Sequence, residues 1–290
     1  MLSGYAKNGR FCDVVDVFEA MPEKNIMSHN AMLSLYLGIG DFISARQVFD
    51  EKGHGIDVYL MNEIKNITRE YFHQPLAEKN KIKLSAETGY RGYQKIGENI
   101  TKEIPDILEA IGCYREVKHG MYGDLGAVMQ GSNKWPSYPP SFKQAMEEYI
   151  DRFTYLSRKI MIGISLALGG SVDEIEGEIG GDPFWVFDVL ASCVTHLFAW
   201  NQINLSGAHT DYGLLTLLNQ DDDIVAFQVL LCSLSNLFSS VIVLDGYNVD
   251  VSCIWSEIYL KTYVGLLEVT LHRVINNSPR YCVCVAYFYK

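Results

Sequence analysis

The chain has 290 residues, 48% of them apolar, and 24 Lys and Arg against 35 Asp and Glu give a formal net charge of −11. That is long and apolar enough for one large buried core plus a small appendage, which excludes a disordered chain. The acidic balance repels nucleic acid and anionic membrane, and no local basic patch overrides it. Seven cysteines, an odd number with no CxxC pair, suggest neither a disulfide framework nor a zinc ribbon and fit a reducing, cytoplasmic setting. The start lacks a basic segment followed by an apolar one, and the apolar stretches 160–168 and 229–244 are too short or too interrupted to cross a bilayer, so no membrane is expected.

The first fifty residues repeat. "MLSGYAKNGRFCDVVDVFE" at Met1–Glu19 matches "MLSLYLGIGDFISARQVFD" at Met32–Asp50, pairing Tyr5 with Tyr36, Gly9 with Gly40, Phe11 with Phe42 and Phe18 with Phe49. Each copy reads as two short amphipathic helices broken at the glycine. The stretch 1–50, with its "MPEKN" connector, resembles plant pentatricopeptide repeats over about one and a half units; in that family a few side chains per repeat read one RNA base, and Asn30 stands at one such position. A solenoid needs at least about three stacked repeats to bury its core, so RNA binding ranks last among the readings. The pattern stops at "VFDEKGHGID", a junction between two unrelated texts that places a second domain at 52–290.

From Lys52 to about residue 180 the second domain reads as mainly helical. "DVYLMNEIKNITREYFHQP" sets Leu60, Ile64, Ile67 and Tyr71 at helical spacing and ends at Pro75. Gly89–Lys134 is rich in Gly and Tyr and reads as loops and short strands. A long helix follows, with Phe142, Met146, Tyr149, Phe153, Leu156, Ile160, Ile164 and Leu168 on one stripe and Gly169-Gly170 closing it. Ser171 with Glu174 makes a capping box for a short helix.

After Gly181 the pattern changes to short strands: "PFWVFDVLA", "GLLTLLNQ", "IVAFQVLL" and "RYCVCVAYFY", separated by turn residues. Helices first and strands afterwards, without regular alternation, predict an α+β fold whose part 181–290 is a barrel or sandwich.

The chemistry concentrates in "GAHTDYGLLTLLNQDDDI", residues 207–224. His209 and Asp211 are two apart, so on a strand both point to one face and can chelate one ion. A second histidine on another strand completes a two-His, one-carboxylate set that leaves open positions on Fe(II), and His272 is the candidate. An HxD pair alone is a weak signal, and a lone histidine is more often a satisfied or surface residue.

"GAHTDYGLLTLLNQDDDI" and "TLHRVINNSPRY", with "GYRGYQKIGENI", "NKWP" and "EGEIGGDPFWV" upstream, resemble the plant Fe(II)/2-oxoglutarate-dependent dioxygenases of the isopenicillin-N-synthase-like group, over about Lys52–Lys290. The resemblance implies a jelly-roll core, iron held by His209, Asp211 and His272, and oxidation of a small-molecule substrate. In that reaction 2-oxoglutarate is decarboxylated to succinate, O2 is split, and the substrate is hydroxylated or desaturated. Arg273, beside the second histidine, is read as either a structural residue or one that supports that histidine, with no catalytic role.

The sequence also departs from that pattern. In the family an Arg on the strand after the second histidine clamps the distal carboxylate of 2-oxoglutarate, and a small polar residue follows two positions later; here these are Cys282 and Cys284. A thiol cannot replace a bidentate guanidinium–carboxylate contact. Arg280, two residues earlier and so on the same face of a strand, is the candidate substitute, and otherwise a solvated residue near the turn of Asn277, Ser278 and Pro279. Asp188 stands where the family has an Arg, Ser192-Cys193 stand where it has Tyr-Pro, and 230–258 departs throughout. These features leave open an alternative, a non-catalytic metal-binding jelly roll from a fused or mis-spliced gene. His54 and His119 read as structural or surface residues, and His29, His73 and His196 have no partner pattern.

Overall fold

The computed structural model describes residues 11–22, 24, 28–29, 31–32, 35–36, 44, 55–101, 103–121, 123–167, 183–192, 203–209, 211, 213–221, 224, 227–229, 272–276 and 280–290. These fall into two compact units, one up to Asp57 and one from Val58 onward. In the first, α1 (Phe11–Glu19) buries Val14 and Phe18 against Met32 and Leu35, so the two sequence copies share one small apolar cluster. His29 is buried there, its ring edge-on to Phe18 at 5.3 Å, which makes it a core histidine. Asn30 and His54 lie outside the described residues.

The second unit opens with α2 (Val58–Phe72), whose expected stripe of Leu60, Ile64, Ile67 and Tyr71 is buried. A short helix α3 (Leu76–Lys79) follows, then β1 (Gly92–Gln94), the small hairpin of β2 (Ile100–Thr101) and β3 (Ile104–Pro105), β4 (Glu109–Tyr114) and α4 (Gly123–Val128). The long helix α5 spans Phe142–Ala167, as its periodicity predicts. The capping box at Ser171 and the Gly169-Gly170 stop lie outside the described residues. β5 (Trp185–Ser192), β6 (Ile203–His209), β7 (Leu215–Gln220), β8 (Phe227–Val229), β9 (His272–Asn276) and β10 (Cys282–Tyr289) complete the chain.

The strands form a five-stranded sheet in the order β1-β4-β5-β10-β7 and a three-stranded sheet in the order β6-β9-β8, and all the pairings within them are antiparallel. β10 is the spine of the larger sheet: Tyr287 pairs with Phe187 on one side and Leu217 on the other. The sheet does not respect the expected division at 181, because β1 and β4 join it from the segment between the helices. β4 reads "EAIGCY" and is buried along Glu109–Cys113, so it carries no polar alternation to mark it as a strand. Helix α2 packs on α5 and on β10. At the α5–sheet contact Tyr149 stacks on Phe153 at 4.0 Å, and the Thr154 and Tyr287 hydroxyls share a 2.7 Å hydrogen bond.

A buried ion pair ties α3 to the sheet. The Lys79 ammonium lies 2.6 Å from Glu109 Oε2, which also accepts from the Tyr93 hydroxyl at 2.7 Å, and Lys79 donates to the Phe72 carbonyl. Removing one partner strands a buried charge, at a cost of about 3–5 kcal/mol. Glu109→Ala is therefore expected to lower the urea-unfolding free energy by about that amount, whereas Lys79→Met with Glu109→Leu recovers most of the loss. A Glu109→Ala loss under about 1 kcal/mol would contradict this.

Candidate active site

His209 is the last residue of β6 and His272 the first of β9, and the two are direct cross-strand partners. The ladder shifts register between Ser206 and His209, so an irregularity delivers His209 opposite His272. Asp211 lies beyond the end of β6, so the expected same-strand chelation is replaced by approach from the following turn. Its Oδ1 is 3.4 Å from His209 Nε2 and 3.5 Å from His272 Nε2, and the two imidazole centroids are 4.4 Å apart. One ligand atom from each residue lies within 4.8 Å of the others, the only such group among the described residues. Donors about 2.1 Å from one ion at right angles stand about 3 Å apart, so two imidazoles and a carboxylate at these separations fit a single small cation.

Burial alone would raise the Asp211 carboxyl, but hydrogen bonding to His209 and His272, the charge of His272 and the Thr216 hydroxyl hold it well below the usual carboxylate range. Thr216 on β7 donates to Asp211 Oδ2 at 2.9 Å and so fixes the carboxylate's orientation. The sequence reading missed this residue; its trace is a lone hydroxyl on the buried face of the "LLTLLN" run.

These residues line a cavity of about 300 Å³ walled by the two sheets, with Leu108, Leu190, Leu218, Val274 and Phe288 among its apolar lining. Cys282 and Cys284 line it too, as their position two apart on β10 predicts. Its carboxylates are Asp106, Asp188 and Asp211, and among the described residues it has no Lys or Arg. Asp106 accepts from Asn99 at 2.6 Å and from Thr101 at 2.9 Å. Burial raises its carboxyl above the ordinary value, against those two bonds and the charge of His209.

Arg280 does not line this cavity. It is exposed, in a bend before β10 begins, so the same-face rule for residues two apart on a strand does not extend to it. It lines instead a second cavity of about 490 Å³ with Lys65, Arg69 and Asp221. There Arg69 pairs with Asp221, which also accepts from the Val283 backbone at 3.0 Å and ties α2 to the start of β10. Arg273 sits within β9, paired with Gln228. His73 is exposed, with Nδ1 2.6 Å from the Arg69 carbonyl, and His119 lies at the surface 3.3 Å from the Gln130 amide, so neither joins the site. His196, Cys193 and 230–258 lie outside the described residues.

A family model for the N-terminal part of non-haem dioxygenases in morphine synthesis matches residues 48–138, and a pentatricopeptide repeat model matches 1–26. The chain is 54% identical over 241 residues to a homoarginine-6-hydroxylase of Arabidopsis thaliana, covering 82% of this chain and 71% of the relative. It belongs to the 2-oxoglutarate-dependent dioxygenases. A rice homoarginine-6-hydroxylase is 43% identical over 284 residues, covering 96% and 84%. Among solved structures, JOX2 in complex with 2OG, Fe and JA superposes with a TM-score of 0.63 at 24% identity, over 88% of this chain and 72% of that one. A rice dioxygenase for auxin oxidation gives 0.58 at 19%, over 84% and 78%. At that identity the two structures establish the jelly-roll fold of this dioxygenase.

One residue distinguishes the dioxygenase's cavity further. Burial, partly offset by the charge of Lys290 and reinforced by that of Asp211, pushes the Asp188 carboxyl from an ordinary 3.8 up to about 7. Folded protein then holds this proton more tightly than unfolded protein, so Asp188 costs stability as pH rises through that interval and costs nothing below it. Asp188→Asn is expected to raise the thermal midpoint by several degrees at pH 8, with the gain vanishing near pH 4. Equal midpoints for variant and parent at pH 8 would contradict this.

Proposed function

We propose that His209, Asp211 and His272 hold Fe(II) and that the chain carries out 2-oxoglutarate- and O2-dependent hydroxylation of a small cationic amino acid of the homoarginine kind. The reading rests on the convergence of two imidazoles and one carboxylate on one apolar-walled cavity in a chain of this family. When bound, Fe(II) supplies open positions for a bidentate keto acid and for O2. The chain's own residues do the rest. His209 and His272 present ring nitrogens from paired strand ends, Thr216 orients Asp211, and the leucine and phenylalanine wall limits water. The homoarginine assignment follows from the Arabidopsis and rice relatives. The acidic net charge supports a small-molecule partner rather than nucleic acid, and the odd cysteine count supports a cytoplasmic setting. The domains of this reading are a pentatricopeptide-like fragment at 1–50 and the dioxygenase at 52–290.

Cys282 favours a second reading, a jelly roll that binds iron but turns over slowly or not at all. Burial pushes its thiol up to about 11, against the pull of Arg69 and Arg280, so it is neutral at pH 7 and offers a dicarboxylate no charge. Losing a charge-assisted clamp of about 3 kcal/mol corresponds to about 10²-fold in co-substrate affinity. The deciding experiment is succinate release from iron-loaded protein exposed to air with homoarginine. Cys282→Arg is expected to exceed the parent by at least about tenfold, and His272→Ala in that background to be silent. Activity that survives His272→Ala would sink the metal assignment, and silence of both the parent and Cys282→Arg would favour the non-catalytic reading.

A further inference from the structure

Among the described residues, the cavity holds one carboxylate that is not among the proposed metal ligands and that no hydrogen bond or ion pair engages. Asp211 is engaged by the two histidines and Thr216, and Asp106 by Asn99 and Thr101. Asp188 lines the same cavity, yet among the described residues it accepts no hydrogen bond and makes no ion pair. Lys290 acts on it through space, but the Lys290 ammonium is not part of the cavity wall. Asp188 is half-buried on the cavity wall, so a donor that enters the cavity can reach its carboxylate without displacing a bond that the described residues already make.

Small neighbours flank Asp188 on both adjoining strands. Its cross-strand partners are Gly112 on β4 and Ala286 on β10, the two smallest side chains on either flank and on the same sheet face. A Cβ on Gly112 would stand 3.4 Å from Asp188 Oδ1 and 3.7 Å from the Tyr114 hydroxyl, so the carboxylate reaches over the bare glycine. No cation of the described chain competes inside the cavity. A planar guanidinium or an ammonium supplies the missing donors, and a guanidinium can meet a carboxylate in a paired, two-bond geometry.

We infer that Asp188 is the specificity-determining residue of this cavity, receiving the cationic end of the substrate beside Ala286. The inference rests on the proposed reading that this cavity takes the substrate, and it assigns which residue reads the charge. Asp188 positions the cation and takes no part in the bond changes at the metal.

The test is direct binding, without turnover, by calorimetry on manganese-loaded full-length protein under nitrogen. The probes are L-homoarginine and L-homocitrulline, which replaces the guanidinium by a neutral ureido group of nearly the same shape. The parent is expected to prefer homoarginine by at least about tenfold, and Asp188→Asn to bind the two within about twofold of each other. A preference that survives Asp188→Asn, no preference in the parent, or no detectable binding of either probe by the parent would each overturn the inference. Because Asp188→Asn is expected to be more stable than the parent above pH 7, lost binding is not lost folding, and a thermal midpoint on the same sample verifies this. Homoarginine-dependent succinate release with an unchanged preference in Asp188→Asn leaves the proposed reaction standing and removes the inference. An Asp188-dependent preference in a protein that releases no succinate supports the inference and removes the reaction.

Discussion

The pairing of β6 with β9 sets His272 against His209, and every chemical property of the cavity depends on that register. Strand side chains alternate between faces, so a slip of one residue would turn His272 away from the cavity and leave Asp211 with one imidazole. The register shift between Ser206 and His209 is therefore part of the site rather than an irregularity beside it. Strand β10 performs the matching task on the other wall, holding β5 and β7 at fixed register while Asp221 and Arg69 pin its start to α2.

The two walls carry different charge logic. On the β6–β9 side, the imidazoles and the Thr216-oriented carboxylate suit a divalent cation. On the β5–β10 side, Cys282 stands where the family's dicarboxylate co-substrate meets an Arg, Asp188 adds a carboxylate to the same wall, and the described lining holds no Lys or Arg. Each carboxylate about 8 Å from an incoming anionic group opposes it by about 2 kcal/mol at an effective dielectric of about 20, comparable with the loss of the clamp itself. The same arrangement favours an organic cation, so the cavity's electrostatics separate the substrate from the co-substrate.

Much of this was legible in the sequence, for definable reasons. The α2 and α5 stripes have a period that only a helix satisfies; α2 buries its stripe, and α5 buries Phe142, Met146, Tyr149, Phe153 and Leu156 of its own. The HxD pair with a distant histidine named three residues that the fold brings together. The fold also placed Cys282 and Cys284 on the cavity wall because β10 begins at Cys282, and the same boundary kept Arg280 out. Strand β4 was less visible because an entirely buried run has no alternation to read. Asp188 stood out in the sequence only as a departure; that it lines the cavity between a glycine and an alanine is a fact of strand register, which no local pattern encodes.

The proposal at stake is that His209, Asp211 and His272 hold Fe(II) while Cys282 leaves the co-substrate without its clamp. The most direct measurement is an anaerobic titration of iron-loaded protein with 2-oxoglutarate, followed by the visible absorption that a keto acid chelating Fe(II) produces. The account predicts one Fe(II) per chain in both the parent and Cys282→Arg, with 2-oxoglutarate bound about 10²-fold more weakly by the parent. Equal 2-oxoglutarate affinity in the two proteins, or no stoichiometric iron in either, would contradict it.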